Sequence, residues 1–257
     1  MKVLLRFFDL CDLHVLIITV ITAIATYVCI AFGFRAELPS TLIAVAIVFP
    51  IAFSINAAYQ RREQALSHLA SFRATTAALY WAHRDWAGGN AGQQLSKQAE
   101  DITRSMYGSL ITALTLKDEE QEEATVQMYR AGSQLSKSHE DLRVAGVSPT
   151  EISRANNYLR MLLVDMERLL VIAQYRTPSS LRAFSKVFLN IFPIIYAPFY
   201  AYIAQETSAA FGYAVAIAFS LVLVGLDNVQ DRLEDPFDGL GDDDVKLKTL
   251  LDLSGDA

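Results

Sequence analysis

The sequence predicts an all-α membrane protein with four transmembrane helices and a helical cytosolic region between the second and third. Three observations carry this. Long apolar runs lie towards both ends of the chain, the middle repeats apolar residues at helical spacing, and no segment alternates apolar and polar residues as a strand would. The 257 residues are 53% hydrophobic, and the mean hydropathy is +0.26, more apolar than a soluble domain. The chain divides into 1–58 (N-terminal segment and spans one and two), 59–182 (cytosolic helical region), 183–228 (spans three and four) and 229–257 (acidic cytosolic turn and tail).

Span one follows from residues 13–34, an apolar run of 22 residues that reaches about 33 Å as a helix. Lys2 and Arg6 precede it, but Asp9 and Asp12 interrupt the head. The run is longer than the roughly 7–15 residues of a signal core, so it reads as a retained helix. Span two is residues 38–58, with Pro39 suited to a first helical turn. Residues 187–203 and 211–226 supply spans three and four; they sit near the lower length limit of about 17 residues, and their aromatic residues extend them into the interfaces. Span three carries Pro193 and Pro198.

Lysine and arginine set the orientation. Arg61, Arg62 and Arg73 open the middle region and Arg176, Arg182 and Lys186 close it, while the loops on the other side carry only Arg35. The positive-inside rule then places both termini and the middle in the cytoplasm. Within the middle, residues 59–86 contain no glycine or proline and continue span two as one helix. "GGNAG" (88–92) breaks it, a second helix runs over about 93–116, and "KDEEQEE" reads as a solvated helix end or loop. "SPTE" (148–151) is a capping box with proline at the first helical position, opening a helix to about Tyr175.

Several chemistries find no support. The net charge of −6 argues against nucleic acid as a partner, since phosphate contacts need a basic surface. Cys11 and Cys29 make no disulfide framework or zinc motif. His14, His68, His83 and His139 are scattered without ligand spacing, and no nucleophile elbow, phosphate loop or zinc-protease motif occurs. The chain does not read as an enzyme.

Two features remain. On span two, Val45, Phe49 and Phe53 recur at steps of four, and Asn56, Gln60 and Gln64 continue the same face. The stripe turns from apolar to amide-bearing, which fits either interhelical packing or the lining of a pore. After span four, Asp227, Asp231, Glu234 and Asp235 precede Pro236, and Asp238, Asp242, Asp243 and Asp244 follow across Gly239 and Gly241. Carboxylates on a helix end and a bent loop fit a hard-cation site as well as a solvated acidic tail.

In this order the two features resemble the bestrophin family of ion channels. "FSINAAYQRREQALSHL" (53–69) is similar to the family's pattern at the end of the pore, "LEDPF" (233–237) with the following aspartates is similar to its post-membrane turn, and "TPSSLRAF" (177–184) stands where the family has Thr-Pro before span three. The resemblance implies a homopentamer around one axial pore. Val45, Phe49 and Phe53 would then ring a hydrophobic neck, Asn56 and Gln60 the vestibule below it, and Ser179, Ser180 and Leu181 a second, cytosolic constriction. That last stretch lacks the family's isoleucine-proline pair.

In animal members the acidic turn clasps calcium, and the resemblance would put Asp235, Asp242 and Asp243 in that set, with Pro236, Phe237 and Asp244 completing the turn. Here Arg232 replaces a glutamine ligand and the loop before the aspartates is longer. No calcium requirement and no other cofactor is therefore expected, and the turn should cap span four and contact a neighbouring subunit. The implied function is passive conduction of monovalent ions, with chloride or cations both open, and with membrane lipids and further copies of the chain as partners. Two alternatives stand beside it: a non-channel scaffold or sensor using the helical cytosolic module, and a metal-dependent membrane enzyme using the aspartate cluster.

Overall fold

A computed structural model describes residues 12–38, 40–175, 178–239 and 244–247; for residues 40–50, 179 and 181 it describes the backbone alone. Among the described residues there are eight helices and no strand. They are α1 (Leu13–Ala31), α2 (Ser40–Ala87), α3 (Gly89–Thr115), α4 (Asp118–Val144), α5 (Pro149–Gln174), α6 (Ser179–Ile195), α7 (Ala197–Glu206) and α8 (Ala209–Glu234). They form two compact units. One is Met1–Gln60 with Arg176–Glu234, the other Arg61–Tyr175 with Asp235–Ala257.

In the first unit the usual rule of burial is inverted. The residues α1 buries are Val15, Thr19, Thr22 and Thr26, while Leu16, Ile17, Val20, Ile21, Ile24 and Val28 are exposed. Thr22 and Thr26 satisfy their hydroxyls by donating to the carbonyls of Ile18 and Thr22 at 2.9 and 2.8 Å. Small and hydroxyl-bearing residues between helices, with branched apolar residues outside, is the packing of helices in lipid. Asp12 caps α1, its Oδ1 accepting from the Val15 N–H at 3.0 Å, and that bond holds its carboxyl below the usual range.

Among the described residues, three helical stretches are long and apolar enough to cross a membrane: Leu13–Ala31, Arg182–Glu206 and Ala209–Glu234. The remaining expected span falls at the head of α2, mostly on residues whose side chains lie outside the described set. Span three is not one smooth helix. It breaks at Tyr196 between α6 and α7, because Pro193 and Pro198 each lack the N–H that the helical ladder needs there. An aromatic column, Phe184, Phe188, Phe192 and Tyr196, runs down α6 at steps of four with ring centroids 4.2, 6.1 and 5.0 Å apart.

The second unit is a helical bundle with an ordinary apolar core. Phe72, Leu79, Met106, Leu110, Met128, Leu135, Leu162, Met166 and Leu169 are all fully enclosed. Its termini follow local chemistry. Ser148 accepts from the Glu151 N–H, with Pro149 at the first position of α5. The acidic run that could have been a loop forms the first turns of α4, where Asp118, Glu119 and Glu120 meet the positive end of the helix. Arg61 caps the other end of α5, donating to the carbonyls of Ile172, at 2.6 Å, and Tyr175. The α2–α3 break is narrower than the glycine run suggests: Gly88 and Gly89, at φ +66° and +52°, turn the chain, and α3 starts at Gly89 rather than near residue 93.

Candidate functional site

The stripe expected on span two lies on α2. Phe53, Asn56 and Gln60 are all exposed, Phe53 at 58%. The opposite face is covered: Ile51, Ser54 and Ala58 are 4%, 1% and 1% exposed, and Ile51 packs with Leu189 of α6 and Leu223 of α8. The face that turns from phenylalanine to amide is therefore the one opposite the packing against Leu189 of α6 and Leu223 of α8. Val45 and Phe49 belong to the same helix; their side chains lie outside the described residues.

Ser179, Ser180 and Leu181 form the first turn of α6. That turn is closed by the Arg182 N–H donating to the Pro178 carbonyl at 3.1 Å. Ser180 is exposed.

The acidic segment splits into two structures. Its helical carboxylates, on α8, meet a matching set on α6. The Arg182 guanidinium donates to both oxygens of Glu234 at 3.1 and 3.2 Å. Lys186 Nζ reaches Asp231 at 2.8 Å, and the Asn190 amide donates to Asp227 at 3.0 Å. The Asn190 oxygen in turn accepts from His14 Nε2 of α1 at 2.7 Å, since its amide nitrogen is committed to Asp227. These four partners, Arg182, Lys186, Asn190 and His14, were not among the sequence candidates. The signal was there in the four-residue steps 182, 186, 190 on one helix and 227, 231 on the other.

Beyond α8 the turn belongs to the second unit. Asp235 Oδ1 accepts from the Phe237 N–H at 3.3 Å, and the Val245 N–H donates to the Pro236 carbonyl at 2.9 Å. Phe237 and Val245, 3% and 5% exposed, join the main apolar core of that unit. Asp244 lines a pocket of about 500 Å³ with Arg62, Arg73 and Lys246 over a floor of Leu66, Leu69 and Ala70. Asp242 and Asp243 lie outside the described residues. Among the described residues no three His, Cys, Asp or Glu side chains gather as a metal site.

These features define an all-helical membrane protein whose second helix exposes a stripe that runs from Phe53 to Asn56 and Gln60 and whose last two spans are joined by a charge ladder. The fold is that of bacterial bestrophin homologs. One solved structure of such a homolog from Klebsiella pneumoniae superposes with a TM-score of 0.78 at 18% identity, covering 91% of this chain and 93% of that one. A second from the same organism gives 0.75 at 20% identity over 96% and 94%, and a third 0.77 at 19% over 91% of each. No protein-family model matches the chain, and no curated protein matches it.

Proposed function

We propose that the chain is a subunit of a homopentameric ion channel in a bacterial inner membrane, with both termini cytoplasmic. The observation that carries this is the exposed face of α2, where Phe53 gives way to Asn56 and Gln60 while Ile51, Ser54 and Ala58 on the other side are buried. In the bestrophin fold, several copies set around an axis would turn that stripe inward. Val45, Phe49 and Phe53 then ring a hydrophobic neck that gates by dewetting, and Asn56 and Gln60 wet the space below it. Ser179, Ser180 and Leu181 form the narrower cytosolic passage. Monovalent ions move down their gradient; the neck carries no charged ring, so it does not by itself choose between chloride and cations.

The acidic turn works in this reading without calcium. Asp235 spends one oxygen on its own turn, and Asp244 shares its pocket with three cationic side chains, a poor setting for a divalent cation. The test is to purify the protein, count its subunits and record currents in planar bilayers. Five subunits and a severalfold larger unitary current in Phe53→Ala are expected. A monomer or dimer without flux would overturn the channel and favour a scaffold or sensor.

A further inference from the structure

The charges that join α6 to α8 sit at the wrong ends of their own helices. Arg182 lies in the first turn of α6, where peptide dipoles favour an anion. Asp231 and Glu234 lie in the last turn of α8, where they favour a cation. Arg232 in the same last turn suits the α8 dipole, but Arg182 on α6 and Asp231 and Glu234 on α8 oppose the dipoles of their own helices, and the cross-pairing offsets that. The Arg182 guanidinium spans both oxygens of Glu234, whose side chain is just 5% exposed against 34% for Arg182. The middle rung is different in kind: Lys186 and Asp231 are 51% and 40% exposed, where an ion pair contributes little.

We propose that the Arg182–Glu234 pair is a releasable latch: closed, it holds the first turn of α6 on the last turn of α8, and released, it widens the cytosolic passage. Three features make it a latch and not a brace. Both helix dipoles oppose the closed arrangement, which lowers the cost of releasing it. It is shielded, so it opens as a unit when one partner loses its charge. And α6 is separated from α7 by the break at Tyr196, so the head of α6 can shift while α7 stays seated. Arg182 and Glu234 are positioning residues; the passage itself is lined by their neighbours Ser179, Ser180 and Leu181. The functional half of this proposal rests on the channel reading; the latch does not.

Amide hydrogen exchange on the full-length protein in lipid nanodiscs reads the latch directly. Arg182→Gln and Glu234→Gln should speed exchange over residues 179–186 by about tenfold or more, and Lys186→Gln should change it little. The exchanged pair, Arg182→Glu with Glu234→Arg, places each charge at the helix end that favours it. It should therefore exchange more slowly than the unaltered protein, whereas a plain brace would only return to the starting rate. In bilayers the single variants should raise open probability and the exchanged pair should lower it below the starting level. Where a neutral variant fails to fold, Arg182→Lys and Glu234→Asp keep the charges and should give intermediate exchange. Unchanged exchange in the single variants, or exchange in the swapped pair as fast as in the singles, overturns the latch. Faster exchange with unaltered open probability overturns its gating role. An unaltered protein that passes no current overturns the channel reading, and the exchange rates still decide the latch.

Discussion

His83 and His139 meet in the core of the second unit with ring centroids 5.6 Å apart, 0% and 2% exposed. The His83 Nδ1–H donates to the Leu79 carbonyl at 2.8 Å, so in the neutral ring Nε2 is an acceptor; it faces the Ser138 hydroxyl at 3.0 Å, whose single hydrogen is also within reach of the Leu135 carbonyl at 2.8 Å. His139 uses Nδ1–H on Asn156 at 2.8 Å, and its buried Nε2 has no hydrogen-bond partner. Both rings are thus built to be neutral, and a proton on either would bury a charge beside the other. Burial pushes His83 down from 6.5 to about 4, with the Leu79 carbonyl and Asp141 opposing and His139 assisting; burial lowers His139 as well. A depressed imidazole stabilises the folded unit above the unfolded value of 6.5, and that contribution drains away as pH falls towards 4. For His83 alone the loss is about 3 kcal/mol. Urea midpoints measured from pH 7.5 to 4.5 should fall steadily, and His83→Gln, less stable at neutral pH, should show a flatter profile. Equal slopes in the two proteins would remove His83 from the account.

At the scale of elements, the α7–α8 turn turns on one glycine. A Cβ at Gly212 would meet the Ala204 Cβ at 2.5 Å and the Tyr200 carbonyl oxygen at 2.8 Å, while one at Gly225 of the same helix meets nothing within 4 Å. Both changes to alanine gain the same helix propensity, about 1 kcal/mol. Gly212→Ala must also force the two helices apart, a cost of about 1–3 kcal/mol. Gly225→Ala should therefore raise the melting temperature slightly and Gly212→Ala lower it; the reverse order would show that the two helices do not close on Gly212. Whether a feature was legible in the sequence depended on how far apart its partners lie. The "SPTE" cap, the helix through residues 59–86 and the phenylalanine-to-amide stripe are local patterns, and each is set by residues three or four apart. The break in span three was carried by Pro193 and Pro198, but proline inside a membrane span is tolerated often enough that it marks a kink or a break equally. The ladder joins partners 52, 45 and 37 residues apart. Its acidic half alone fitted a solvated tail as well as a cation site, because nothing in the linear sequence says which lysine or arginine will face it.

At the scale of the whole chain, the path leaves the second unit at Tyr175, supplies two spans, and re-enters that unit at Asp235. The returning segment has to be fastened, and a metal clasp and an apolar anchor make opposite demands. A clasp needs carboxylates turned towards a common point. An anchor needs side chains in the core, and here Phe237 and Val245 are enclosed among residues of the bundle while the Val245 N–H ties the segment back to Pro236. Proline fixes the backbone before the anchor, and the Asp235 carboxylate closes the turn onto the Phe237 N–H. If the anchor carries the return, Phe237→Ala should cost about 3–5 kcal/mol, and adding calcium or a chelator to the purified protein should leave its melting temperature and subunit count where they were. A melting temperature that rises with calcium, or a Phe237→Ala protein as stable as its parent, would transfer the fastening from Phe237 to the aspartates.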